Sequence, residues 1–232
     1  MFSAASDHVQ QRVDSTDIDL DPFPHIEIDN IFPEELYQAM LANRIADDCL
    51  FTLNELGRVD QNYPTTRQIL ELRNNLPILS SPAREFWQDT HAWLTGPFEQ
   101  IMTEKFRSHI QERFGRIPEL RAETLYTRDR TDYALGPHTD AAHKVLTFLV
   151  YLPPDSARPE IGTSIYRPHN PDFTCKGGPR YDFANFERVK TAPYQPNTLF
   201  GFVKTSRSFH GVEPIRHAVT RDLLIYDIHL AK

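Results

Sequence analysis

Leu135-Gly-Pro-His-Thr-Asp140 is followed closely by Val145-Leu-Thr-Phe-Leu-Val-Tyr-Leu152, a largely apolar run that reads as a buried strand. Side chains at i and i+2 of an extended segment point to the same face. One short β-element can therefore present the His138 imidazole and the Asp140 carboxylate to a single metal ion. A third ligand must come from elsewhere. The best-placed candidate is His210, in Ser206-Arg-Ser-Phe-His-Gly-Val212. His217 competes with it, but Ile215-Arg-His-Ala-Val219 reads as a turn between strands.

Working outward, residues 124–127, 162–167, 198–204 and 222–230 are further short β-rich runs, separated by Pro, Gly, Asp and Asn. Upstream, His25-Ile-Glu-Ile-Asp29 alternates as a half-buried strand does. A helix is expected from Pro33, with Glu34 and Glu35 complementing its dipole and Leu36, Ala39 and Met40 on one face. A second starts near Ser81, turns Ala83, Trp87 and Leu94 toward the core, and stops at Gly96-Pro97. A third, from Pro97 to Phe114, aligns Phe98, Ile101, Met102, Phe106 and Ile110 before Gly115 ends it. Trp87, Trp93 and these Phe residues are read as core packing. Residues 51–64 read mostly as loop, and residues 1–20 as a loose leader.

Helices first and strands later predict a mainly β (α+β) domain: a β-sandwich or barrel supported on one side by N-terminal helices. The expected organisation is a leader over 1–20 and one catalytic domain over 21–232, with helical support at about 33–115 and the β core at about 121–232. The connection 168–196 is too long for a simple turn and is expected to be a lid or binding loop, with Arg180 and Tyr181 as possible substrate contacts.

The 232 residues, 40% of them hydrophobic, suffice for a sizeable core. A net charge of −7 without a block of Lys or Arg argues against a nucleic-acid partner. Cys49 and Cys175 share no CxxC-like pattern, so neither a disulfide framework nor structural zinc is suggested, and a cytoplasmic setting is expected. No apolar run approaches the roughly 20 residues of a membrane span, and the first residues lack the pattern of a signal peptide.

Two histidines and one carboxylate on one face, with the opposite positions open, form the ligand set of non-haem Fe(II) oxygenases. The order His138-Thr-Asp140, Lys144 to Leu152, Gly162-Thr163, His210-Gly-Val-Glu-Pro214 and Arg221 resembles the 2-oxoglutarate and Fe(II)-dependent dioxygenases, in their prolyl-hydroxylase-like branch. The resemblance covers about 121–232, with a weaker echo in Pro22-Phe-Pro-His-Ile-Glu-Ile-Asp29. It implies a double-stranded β-helix core, of the jelly-roll or cupin type. His138, Asp140 and His210 are then the catalytic metal ligands, for Fe(II), and leave positions for the keto acid and O2. It implies further that Arg221, eleven residues after His210, clamps the far carboxylate of 2-oxoglutarate in a bidentate pair. Arg216 and Arg207 compete for that role, but Arg221 opens the strand Leu223-Leu-Ile-Tyr226 and can face the barrel interior. Thr147 and Tyr151 match positions whose hydroxyls support the same carboxylate. Tyr126, Arg128 and Tyr133 precede the His-x-Asp pair where the family places further substrate or cosubstrate contacts. His143, His169 and His229 are read as surface or supporting groups.

Two departures stand out. A Gly-Gly pair of the family is here Ile161-Gly-Thr163, and Leu223 replaces the Ser that one branch places two residues after its Arg. The retained acid at 140 separates the chain from halogenating relatives, which carry a small residue there. The implied activity is an oxidoreductase one: oxidative decarboxylation of 2-oxoglutarate to succinate and CO2, coupled to hydroxylation of an unactivated C–H bond of a small molecule such as an amino acid or biosynthetic intermediate. The alternatives are a peptide side-chain hydroxylase of the same family, a jelly-roll ligand-binding protein that keeps a metal, and a zinc hydrolase using the same ligands.

Overall fold

The computed structural model describes residues 1–59, 63–153, 158–216 and 218–231; His217, the rival third ligand, lies outside them. Helix α1 (Phe2–Asp14) is followed by β1 (His25–Ile28), α2 (Glu34–Ala42), β2 (Phe51–Thr52), β3 (Arg67–Glu71) and α3 (Leu72–Asn75). Three further helices, α4 (Ser81–Trp93), α5 (Glu99–Lys105) and α6 (Arg107–Phe114), lead into strands β4 (Leu120–Asp129), β5 (Leu135–His138) and β6 (Lys144–Tyr151). The chain ends with β7 (Arg158–Pro168), β8 (Phe186–Tyr194), β9 (Leu199–Val203), β10 (His210–Val212) and β11 (Arg221–Leu230).

Among the described residues these strands form two antiparallel sheets, in the orders β1-β9-β6-β11-β4-β3-β2 and β5-β10-β7-β8. Strands β4 to β11 pass back and forth between the sheets, apart from the β7–β8 hairpin within the smaller one, as in a double-stranded β-helix, the fold expected from the sequence. The N-terminal segment extends the larger sheet at both edges, through β1 beside β9 and through β3 beside β4. It is therefore not purely helical. Strand β3 was not legible as a strand, although Ile69 and Leu70 are buried in it.

Pleating gives β11 two chemistries. Leu224, Tyr226 and Ile228 belong to the core beneath the helices, where the Tyr226 ring meets Phe98 at 5.3 Å. Arg221, Leu223, Ile225, Asp227 and His229 line a cavity on the other face. The helical layer closes the first face: Trp87 is fully buried, stacks edge-on against Tyr126 at 5.6 Å and donates its indole N–H to the Asn43 carbonyl. Removing such a side chain costs about 3–5 kcal/mol.

Two local expectations need correction. Residues 2–14 are not a loose leader, because Ala5, Val9 and Val13, spaced four apart, bury one stripe of α1 in this same core. Nor do Gly96 and Pro97 stop the helix begun at Ser81. A π-turn over Leu94–Phe98 carries the chain into α5, and its widened ladder accommodates Pro97, which has no N–H to give. The break comes instead at Phe106, between α5 and α6.

Close backbone approach in the smaller sheet depends on glycine. A Cβ on Gly162 would stand 1.8 Å from the Ala192 carbonyl oxygen, and one on Gly211 would stand 2.4 Å from that of Leu135. The single glycine of Ile161-Gly-Thr163 therefore keeps the tight approach. Among the described residues no helix is long and apolar enough to cross a membrane.

Candidate active site

His138 ends β5 and His210 opens β10, and the two are direct cross-strand partners. Their rings lie 4.3 Å apart, and His210 also rests on Phe202 at 4.4 Å. Each ring is aimed by its own backbone: Nδ1 of His138 donates to the Gly136 carbonyl at 3.1 Å, and Nδ1 of His210 to the Ser208 carbonyl at 3.0 Å. A carbonyl can only accept, so each Nε2 keeps a lone pair for the interior. Both Nε2 atoms face Asp140 Oδ1, at 3.9 and 3.8 Å. The ligand atoms of the three residues all lie within 4.8 Å of one another. Asp140 Oδ2 accepts the Thr147 hydroxyl at 2.7 Å, so one carboxylate oxygen is engaged and the other turned inward.

Electrostatics favours the deprotonated forms that metal binding needs. Burial, reinforced by His210, lowers His138 to about 3, and burial lowers His210 as well. Asp140 would be raised by burial, but the Lys144 ammonium above all, with the Thr147 hydroxyl, holds it below the ordinary carboxylate range. Two neutral imidazoles and one carboxylate, converging from one side, fit a divalent metal that keeps its remaining positions open.

The cavity around them has a volume of about 490 Å³, within the range of small-molecule sites. Leu125, Leu135, Leu149, Val212, Leu223 and Ile225 line it together with the triad and Arg221. Arg221 is buried, donates from Nη1 to Asp129 at 2.6 Å and from Nη2 to the Thr163 hydroxyl at 3.0 Å, and keeps Nε without a hydrogen-bond partner among the described residues.

The other expected residues divide. Thr147 lines the cavity, and its hydroxyl donates to Asp140 Oδ2. Tyr151 lies outside the lining: its ring stands 5.3 Å from the Arg221 guanidinium and its hydroxyl accepts the Thr163 N–H. Tyr126 and Arg128 have the wrong parity on β4. Both turn to the helical side and bind Asp222, Tyr126 from its hydroxyl and Arg128 through a two-pronged pair. Tyr133 is fully buried beneath Arg67, with its hydroxyl 3.5 Å from that of Tyr63. Arg180 lines the cavity and lies over the Tyr63 ring. Tyr181 packs away from it, among Phe173, Phe186 and Phe209. His169 and His143 are exposed, as expected, but His229 is buried and lines the cavity. Arg58, Arg67, Glu123, Lys144 and Asp227 also line it and were not anticipated.

No protein-family model matches the sequence, and no curated protein is significantly similar to it. Solved structures do match in fold. A prolyl-4-hydroxylase from Pseudomonas putida superposes with a TM-score of 0.53 at 14% identity, over 97% of this chain and 100% of its own. A prolyl hydroxylase from Trichoplax adhaerens, in complex with a hypoxia-inducible-factor peptide fragment, gives 0.55 at 13%, over 97% and 88%. The non-haem alpha-ketoglutarate-dependent carbocyclase SnoK of nogalamycin biosynthesis gives 0.54 at 12%, over 98% and 86%. The chain has the fold of these oxygenases.

Proposed function

We propose that the protein is an Fe(II)- and 2-oxoglutarate-dependent dioxygenase that hydroxylates an unactivated C–H bond of a small molecule. The observation that carries this reading is the pairing, in one cavity, of a two-histidine, one-carboxylate triad with a buried arginine whose Nε has no partner among the described residues. A metal-binding or hydrolytic jelly-roll needs the triad but not the arginine.

His138, Asp140 and His210 hold the metal, and Arg221 receives the distal carboxylate of 2-oxoglutarate through Nε and Nη2. The Leu and Ile side chains that line the cavity with them cover the methylenes of the keto acid and exclude water. The bound Fe(II), keto acid and O2 supply the oxidation, with succinate and CO2 as coproducts. The share of the cavity beyond the triad is left for a substrate, and it suits a small molecule better than a peptide.

Anaerobic addition of Fe(II) and then 2-oxoglutarate tests this. The expected result is a visible metal-to-keto-acid charge-transfer band, absent in Asp140→Ala and requiring at least tenfold more 2-oxoglutarate in Arg221→Leu. A wild-type protein that folds and binds Fe(II) yet never develops the band overturns the reading. So does turnover without O2, which a zinc hydrolase would show.

A further inference from the structure

We propose that the end of the cavity where Glu123, Asp227 and His229 converge is a subsite for a hydroxyl group of a neutral, polyhydroxylated small molecule. As the seat of the molecule to be oxidised, it rests on the oxygenase reading.

Asp227 and His229 share the cavity face of β11, and Glu123 is the direct cross-strand partner of Asp227 on β4. Like charges placed opposite each other on a sheet repel, so each carboxylate carries its own cation. Arg58 donates to both oxygens of Glu123, at 2.8 and 3.0 Å, and Lys144 Nζ lies 2.7 Å from Asp227 Oδ2. His229 Nε2 stands 3.7 Å from Glu123, too far for a hydrogen bond. The exposed His143 ring covers it at 5.0 Å, nearly parallel.

What remains is a set of unmet hydrogen-bonding atoms. Asp227 Oδ1 and both ring nitrogens of His229 have no hydrogen-bond partner among the described residues, although the two residues are only 2% and 4% exposed. Each buried polar atom left so carries a desolvation cost that a bound partner would relieve. One ligand atom from each of Glu123, Asp227 and His229 lies within 4.8 Å of the other two, so the three groups converge at this end of the cavity.

The chemistry of the missing group follows from those atoms. Asp227 Oδ1 needs a donor, while a neutral imidazole offers one donor and one acceptor. A hydroxyl does both, whereas an ammonium only donates and a carboxylate only accepts. A second metal ion would have to sit against Arg58 and Lys144, which already balance the two acids. The same balance removes any net attraction for a charged ligand. Tyr63, His143 and Arg180 continue the polar wall, which favours further hydroxyls over an alkyl chain. Lys144 also lies 3.5 Å from Asp140 Oδ1, so the subsite adjoins the triad through one side chain.

The test is saturation-transfer NMR on the full chain, with and without Zn(II) and 2-oxoglutarate. Three probes are compared: methyl α-glucopyranoside, glucosamine as its ammonium form, and gluconate. The neutral glucoside is expected to bind at least threefold tighter than either charged probe, and His229→Phe to weaken it at least tenfold. The folding control is the anaerobic Fe(II) and 2-oxoglutarate band, which His229→Phe should retain. Stronger binding of glucosamine or gluconate, unchanged glucoside binding in His229→Phe, or a second metal equivalent in a Zn(II) titration overturns the proposal. Lack of the band in wild type sinks the oxygenase reading instead, since the glucoside measurement does not depend on it.

Discussion

Arg221 gives its Nη1 hydrogen to Asp129 Oδ2 at 2.6 Å, and the fully buried Asp129 is held from its other side by Arg67, through Nε and Nη2 at 2.6 and 2.8 Å. One carboxylate thus stands between two buried guanidinium groups, and the three side chains keep a net positive charge. Asp129 fixes the rotation of Arg221. Nε is left without a partner among the described residues and, with the second hydrogen of Nη2, whose other hydrogen goes to Thr163, it can take a second carboxylate.

Asp129→Asn should therefore strip charge from two buried cations without changing shape. Breaking a buried pair on one side costs about 3–5 kcal/mol, so a large fall in melting temperature is expected. 2-Oxoglutarate carries the missing charge into the site and should raise the melting temperature of Asp129→Asn more than that of wild type. Equal ligand-induced shifts would show that Asp129 does not share Arg221 with the cosubstrate.

Thr147→Val tests a role that the sequence placed elsewhere. Its hydroxyl orients Asp140, and losing such a partner of a metal-binding carboxylate typically weakens the metal about 10–100-fold. Fe(II) or Zn(II) affinity should fall by that amount. The 2-oxoglutarate requirement, measured at saturating metal, should stay within about twofold. The opposite pattern would return Thr147 to the cosubstrate carboxylate.

That His138, Asp140, His210 and Arg221 face one cavity was legible because each lies in a short local pattern: alternation around His138-Thr-Asp140, and an arginine opening an apolar strand. Tyr126 and Arg128 were misplaced because their face depends on register. Leu224 is the partner of Tyr126 on β11, and that pairing puts both on the helical side. Arg67 and Asp129 pair across 62 positions, Glu123 and Asp227 across a sheet, and no local periodicity encodes either contact. The fold class survived such errors, since it needs only the order of strands and helices.

Helix α1 was missed because its apolar stripe is three small residues in a polar segment. Val9 is 0% exposed within the shared core. Val9→Ala removes two methyl-sized groups and leaves a small void, so a loss of about 2 kcal/mol is expected in urea unfolding. A change below about 0.5 kcal/mol would mean that residues 2–14 are not docked in solution.

Glu123 makes the pH dependence specific. Burial alone would raise its carboxyl, but its surroundings, with the Arg58 guanidinium on both oxygens at 2.8 and 3.0 Å, outweigh burial and lower it from 4.5 to about 2. The folded state thus binds this proton less readily than the unfolded state, and stability falls as pH drops through that interval. The contribution is complete above about 4.5 and gone near 2. A shift of that size corresponds to about 3 kcal/mol at 1.36 kcal/mol per unit. Glu123→Gln, which cannot titrate, should be less stable than wild type at pH 6 and should approach it near pH 2. If the two unfolding curves stay separated by the same amount down to pH 2, the charge on Glu123 is not what Arg58 stabilises.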